Sequence, residues 1–354
     1  MPIDRLAIIL VNYRDYADRY LADCWASLQA QTWAGQWQAV IVDNASTPET
    51  QATIARLAPE AVVITNQTND GFAKGNNDGL AWAWEHDYRF ALMLNLDTEL
   101  APDCLEQLIT AANQAPTDWG AVQARLMLHP QVRQVNSLGN SLHYLGFGYS
   151  QGAGPAAPSL TKAVVPIRGY GSGAALLVRR EIIEPLGGFD EVFWMYHDDL
   201  ELGWRMWLTG HPAYLAPAAV VYHKYQFAKS IKQYYWMERN RFIWFWTAYR
   251  WPTTLLLLPM ALVMEISLWL FAVKKGFWRE NALAYGWMIN PRHWRYLHQR
   301  RGRLRRLRTI PDRVAIQSLT SVIEFQEVDN WLLRCVGNPL MTLYWRVVRM
   351  LIFW

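Results

Sequence analysis

Asp97 and Glu99, in Leu94-Asn95-Leu96-Asp97-Thr98-Glu99, follow an apolar run and stand two residues apart, so both can turn toward one hard cation from a loop. Oxygen donors of this kind suit Mg2+ or Mn2+, which keep several waters and bridge to phosphates. Asp198 and Asp199 make a second acidic pair, in Tyr196-His197-Asp198-Asp199-Leu200-Glu201. A carboxylate among aromatics is suited to taking a proton from a hydroxyl, because such surroundings raise its pKa. On a helix start the two diverge by about 100°, one toward a cleft and one toward caps or neighbours. Acidic residues in a first helical turn also favour the helix dipole with no catalytic role, and both readings stand at this point. Arg205, further along the same helix, can pair with a carboxylate and hold it.

Two further clusters lack acid pairs but suit a polar ligand. Ile41-Val42-Asp43-Asn44-Ala45-Ser46 is an apolar run ending in a carboxylate, able to accept from a base or ribose or to cap the next helix. Asn69-Asp70-Gly71-Phe72-Ala73-Lys74-Gly75-Asn76-Asn77 opens a helix, where free N–H groups and glycines allow close approach of a phosphate or sugar edge. It fits neither the P-loop nor the dinucleotide fingerprint.

The elements that must position these residues alternate. Apolar runs at Leu6 to Val11, Ala39 to Val42, Val62 to Thr65 and Phe90 to Leu96 predict strands, with helices near 17–30, 49–58, 73–86 and 102–114 between them. Continuous apolar strands separated by helices predict an α/β fold with a mostly parallel central sheet covered on both faces. Ligands in such sheets sit at the carboxyl ends of strands. That rule singles out Asn12, Asp43, the loop after Thr65, and Asp97. Glycines and prolines from 146 to 158 predict a loop.

A chain of 354 residues accommodates one large core and a smaller appendage. Three cysteines without a CxxC pair point to neither a disulfide framework nor a zinc knuckle, and a reducing compartment fits. The first residues lack a basic segment followed by an apolar one, so no export address is expected there. Net charge is +4, yet residues 274–308 alone hold eleven Lys/Arg against Glu280. Eleven of the twenty tryptophans fall from Trp236 to Trp354. Tryptophan beside a basic cluster predicts a membrane interface rather than nucleic acid, since aromatics are sparse within the arginine run. In residues 253–273, eleven Leu/Ile/Val/Phe favour insertion by about 3–7 kcal/mol and the central Glu265 returns about 3. Basic residues flank this run at both ends, so a re-entrant or surface-lying arrangement is expected instead of a crossing.

Taken in order, the motifs resemble family 2 glycosyltransferases: Val11-Asn12-Tyr13, Val42-Asp43-Asn44-Ala45-Ser46, the Asn69 to Asn77 segment, Asn95-Leu96-Asp97-Thr98-Glu99, Gly171-Ser172-Gly173-Ala174-Ala175, and Gly188 to Arg205. Among these the chain looks most like the rhamnosyltransferase-like branch that builds bacterial surface glycans. The resemblance implies a glycosyltransferase A fold and inverting transfer from a nucleotide-diphosphate sugar. It puts Asn12, Tyr13, Asp43, Asn69, Gly71, Lys74, Asn76 and Asp97 near the donor, and Asp97, Glu99 and His223 around Mg2+ or Mn2+. Asp199 matches the catalytic base, supported by Asp198, Arg205 and Gly173. Glu99 stands where relatives carry a second Asp, and Asp198 where they carry Glu. The acceptor implied is polyprenyl-diphosphate-linked or another glycan, met at the cytoplasmic face of a membrane by a peripheral or monotopic enzyme. Residues 1–226 are expected to be the catalytic domain and 227–354 a helical membrane-associating region. Transfer of another sugar, such as galactofuranose or a hexose, and a catalytically silent glycan-binding relative are the alternatives.

Overall fold

The computed structural model describes residues 3–155, 163–225, 233–324 and 331–354. They form two compact units: Met1–Asn140, Ser150–Met206 and His211–Tyr225 in the first, and Ser141–Tyr149, Trp207–Gly210 and Gln226–Trp354 in the second. The 226/227 boundary expected from sequence and part of the 146–158 loop lie outside the described residues. The second unit also draws in two short segments from within 1–226.

In the first unit, β1 (Arg5–Tyr13), β2 (Gln36–Asn44), β3 (Val62–Asn66) and β4 (Phe90–Leu94) pair in parallel in the order β3-β2-β1-β4. Helices α1 (Ala22–Gln29), α2 (Pro48–Leu57), α3 (Gly71–Glu85) and α4 (Cys104–Gln114) alternate with the strands. Beyond β4 the sheet becomes mixed. After β5 (Thr98–Leu100), β6 (Ala121–Leu128) and β7 (Gln134–Ser137), strand β8 (Ala175–Arg179) lies antiparallel between β4 and β6. The long β9 (Ala213–His223) runs parallel to β6 and antiparallel to β5. Helices α5 (Arg180–Leu186) and α6 (Asp198–Leu208) lie between β8 and β9 in the chain.

Burial explains why these strands read as unbroken apolar runs. Leu6, Ile8 and Leu10 enter a core with Leu28, Leu105 and Leu108, while Ile9 and Val11 on the other face meet α3. A Cβ added at Gly79 would stand 2.4 Å from Ile9 Cγ2, and one at Gly75 would stand 2.8 Å from Val11 Cγ1. These two glycines therefore seat α3 on β1; the close approach they permit is to the sheet.

Four principal helices make up the second unit: α7 (Tyr234–Ala248), α8 (Trp251–Lys275), α9 (Trp278–Ile289) and α10 (Pro291–Leu307), followed by α11 (Asn338–Leu351). Helix α8 is long and apolar enough to cross a membrane by length and composition. Its Glu265 is paired: Arg241 of α7 binds it at 2.8 Å and also holds Glu238 at 2.7 Å, and the Tyr285 hydroxyl of α9 donates to it. The acid that reads from sequence as an insertion cost is thus a tie among three helices. The arginine run is divided too. Arg301 donates to the Trp246 and Tyr249 carbonyls, and Arg308 to the Ala248 carbonyl, so both satisfy the carboxyl end of α7.

Candidate active site

Parallel register sets Asn12 beside Asp43 at the ends of β1 and β2. Asn12 Nδ2 donates to Asp43 Oδ1 at 2.6 Å, and the Ala17 amide donates to Asn12 Oδ1 at 2.8 Å. The other Asp43 oxygen accepts from Ser46 Oγ at 2.6 Å and Gln51 Nε2 at 3.4 Å. Both side chains are fully buried. Any further donor reaching Asp43 Oδ2 has to exchange with Ser46 or Gln51. Tyr13, next to Asn12, is half-buried with the Arg14 guanidinium over its ring.

Gly71 opens α3 at φ +89°, and a Cβ there would lie 2.5 Å from the Trp194 carbonyl oxygen and from its indole Cδ1. Trp194 is fixed to this turn from both ends. Its carbonyl accepts from the Ala73 amide at 3.1 Å, and its indole N–H donates to the Asn69 carbonyl at 3.4 Å. Asn69 Oδ1 accepts from the Gly71 amide, and Asn76 Nδ2 donates to the Phe72 carbonyl. Lys74 is tied to Asp78 one turn on, and this partner raises its pKa. Asn77, not singled out from sequence, bonds both the amide and carbonyl of Phe189.

The acidic loop follows β4. Lys224 N–H donates to the Asp97 carbonyl at 2.8 Å, which brings His223 Nε2 to 3.4 Å from Asp97 Oδ1. His223 Nδ1 lies 2.9 Å from Asn136 Oδ1. Asn136 thus fixes the imidazole ring from its Nδ1 side and leaves Nε2 aimed at the Asp97 carboxylate. That geometry suits a divalent ion taking one nitrogen and one oxygen here and its other ligands from water and phosphate. Glu99 has different company. Lys224 Nζ binds its Oε1 at 2.8 Å, and His129 Nε2 stands 3.7 Å from the same oxygen. Among the described residues no group of three His, Cys, Asp or Glu gathers at one point, so the expected set of Asp97, Glu99 and His223 appears as a pair plus an ion-paired glutamate.

Asp199 stands at the start of α6, where Oδ2 accepts from the Gly173 amide at 3.2 Å and Oδ1 from the Leu200 amide at 2.8 Å. Burial pushes its carboxyl up to about 6 despite these bonds. Its neighbour Asp198 is more deeply buried, with Oδ2 lacking any hydrogen-bond partner; burial and then the Asp199 charge raise it well above the usual carboxylate range. Arg205 forms a buried bidentate pair with Glu201 at 2.6 and 2.7 Å and donates to the carbonyls of Leu186 and Gly188, so it anchors the chain entering the site. Trp194, Tyr196 and His197 all adopt left-handed φ near +60°, each at a cost of about 1–2 kcal/mol or more. Strain of that kind concentrates where side chains must be aimed.

One backbone contact joins the two acidic loops. Gly173, which holds Asp199, precedes Ala174, whose carbonyl accepts from the Asn95 amide two residues before Asp97. Tyr16 reports the same proximity: burial pushes its hydroxyl up to about 12, with the Asp97 carboxylate the next contributor and Tyr196 adding a smaller one. Tyr16, Asn136, Trp194 and Lys224 escape sequence reading because pairing distant in the chain puts them there.

A parallel half-sheet with ligand-facing loops, extended by antiparallel strands that add a second acidic turn, is the glycosyltransferase A fold. Residues 7–144 match glycosyl transferase family 2. The matched span includes Asn12, Asp43, Asp97 and Glu99; the fold adds Gly173, Asp199 and His223. Over 242 residues the chain is 26% identical to an N-acetylglucosaminyl-diphospho-decaprenol L-rhamnosyltransferase of Mycobacterium tuberculosis, an overlap of 62% of this chain and 76% of that one. It is 24% identical over 207 residues to a low-salt glycan biosynthesis hexosyltransferase of Haloferax volcanii, covering 57% of this chain and 62% of the relative. The crystal structure of S. aureus TarS 1–349 with UDP superposes with a TM-score of 0.50 at 15% identity, over 98% of this chain and 88% of the other. GalNAc-T7 with UDP, GalNAc and Mn2+ also gives 0.50, at 13% identity, over 63% and 44%.

Proposed function

We propose that this chain is an inverting glycosyltransferase that moves a sugar from a nucleotide-diphosphate donor to a polyprenyl-diphosphate-linked or other glycan acceptor. The observation that carries the reading is the Asp199–Gly173 hydrogen bond, continued through Ala174 to Asn95, because it sets a carboxylate of raised pKa beside the Asp97 loop. Asp199 accepts the acceptor hydroxyl's proton as that oxygen attacks the anomeric carbon. The bond to the leaving diphosphate breaks with its electron pair, so a single displacement inverts the centre. Asn12, Tyr13, Asp43 and the Asn69 to Asn76 turn bind the nucleotide and sugar, and Trp194 closes the turn. Asp97 and His223 would hold Mg2+ or Mn2+, which when bound supplies charge neutralisation for the departing diphosphate. The neighbour crystallised with Mn2+ supports that choice of ion.

Rhamnose is the favoured sugar on the mycobacterial relative, which acts on a lipid-linked substrate; the archaeal relative supports a hexose as the alternative. A lipid-linked acceptor calls for an enzyme at the cytoplasmic face of a membrane, and the exposed apolar faces of α8 and α11 support a peripheral or monotopic attachment. Residues 1–226 would then do the chemistry and 227–354 the anchoring. The test is a screen of nucleotide sugars for Mn2+-dependent release of nucleoside diphosphate, with and without lipid-linked acceptor, followed by NMR of the product's anomeric configuration. Acceptor-stimulated release from one donor with inverted product is expected; a retained configuration, or release indifferent to every acceptor, overturns the reading.

A further inference from the structure

Lys224 occupies an unusual position for a cation. It directly follows His223, its amide is bonded to the Asp97 carbonyl, and its ammonium lies between Glu99 and Asp23 of α1. The side chain is 15% exposed, against 59% for Asp23 and 31% for Glu99, so Lys224 is the enclosed member of the group. The buried Cys24 thiol lies within reach of all three charges, Asp97 and Glu99 acting on it in one direction and Lys224 in the other, which makes the cluster a compact one. Setting the imidazoles aside, three carboxylates and one ammonium leave two net negative charges, the complement of one divalent cation. Without the ammonium the loop would carry three, and a divalent ion would bind it more tightly in the absence of any nucleotide.

We propose that Lys224 is a charge-setting residue of the Asp97 loop: as the standing counter-ion of Glu99 and Asp23, it withholds Glu99 from the metal and keeps the resting site's affinity for a divalent cation low. This rests on the reading that Asp97 and His223 hold such an ion. Its consequence is that the ion arrives and leaves with the diphosphate, since the protein alone supplies two ligands and a damped charge. Lys224 acts through Glu99 and the ion, so it is a positioning residue.

The experiment is a titration of the full-length protein with Mn2+ alone, followed by electron paramagnetic resonance of the free ion. A unit charge removed from about 6 Å away changes the binding of a divalent ion by about tenfold even when the interaction is screened as fully as in water. Lys224→Met is expected to bind Mn2+ about tenfold more tightly than wild type, Lys224→Arg to match wild type, and Asp23→Asn, at an exposed position, to bind severalfold more weakly. Circular dichroism and a melting curve on each variant establish that it is folded, and Asp23→Asn carries the test if Lys224→Met is not. Equal Mn2+ affinity across wild type and the folded variants overturns the role of Lys224 and leaves the metal reading standing. No Mn2+ binding to any of them at millimolar concentration overturns both.

Discussion

Among the described residues the first unit exposes three large apolar side chains, Val63, Val132 and Val165, whereas the second exposes twenty. The first closes its surface over a sheet buried on both faces. The second builds helices that are apolar on more than one side. In α11, Met341, Trp345 and Val348 are buried, yet Leu340, Leu343, Val347 and Met350 on the opposite stripe face outward. Along α8, Leu255, Leu262, Ile266, Leu270 and Val273 do the same. An ordinary surface helix needs one apolar stripe and turns its polar face to water. Lys274, Lys275, Arg279, Arg292 and Arg295 stay exposed, with Trp251, Trp278 and Trp294 also outward. Cations and indoles bordering apolar helix faces are what a bilayer interface takes up. The contrast teaches that one unit is organised around a polar cleft and the other around an apolar surface it leaves open.

The sharpest way to break that division is to disable each unit separately. Asp199→Asn is expected to lower transfer by about 10²–10⁴-fold while leaving retention on anionic liposomes as in wild type; a rate assay beside a flotation assay checks both. Full transfer in that variant removes the assignment of the base. Conversely, Leu343→Glu with Val347→Glu on α11 should cut liposome retention by about tenfold or more and leave donor binding in place. Undiminished flotation would end the bilayer role of that face.

Within the first unit, Gly79→Ala is expected to cost about 1–3 kcal/mol of stability, read from a denaturation curve, because the new methyl meets Ile9 on the sheet. An unchanged midpoint would mean that α3 is seated less tightly than the 2.4 Å approach implies. The smallest effect concerns pH. The folded pKa of Asp199, about 6, lies above that of an unfolded aspartate, about 3.9, so the folded state holds the additional proton between those values. The stability this residue contributes is lost as pH rises through 6, over the same interval in which the base becomes ionised and transfer rises. Asp199→Asn should accordingly melt about 2–4 °C higher than wild type at pH 7.5, with the difference vanishing below pH 4. A melting temperature lower than wild type at pH 7.5 would contradict the burial argument.

How legible this was differs between the two units as well. The strands β1 to β4 are plain in sequence because a parallel sheet covered on both sides writes itself as apolar runs, and the ligand positions follow from their carboxyl ends. Beyond β4 the pattern gives less. His223 reaches Asp97 only because β9 pairs with both β5 and β6, and Asn136 orients it from β7; no local spacing encodes either. Lys224 looks like an ordinary cation until the antiparallel register carries its backbone to Asp97, from where its ammonium reaches Glu99. In the second unit the charge total misleads in a similar way, since a sum along the chain does not record that Arg301 and Arg308 turn inward to carbonyl groups or that Glu265 already has Arg241.

Trp194 belongs to the segment leading into Asp199, yet it is the residue that a side chain at Gly71 would strike and the one whose carbonyl receives the first turn of α3. The two walls of the cleft are therefore riveted at Trp194, with Asn77 holding Phe189 beside it. Retargeting such an enzyme to a new sugar by altering only one wall meets the other's backbone, so substitutions that change selectivity should come in matched sets on both sides of the Trp194 ring.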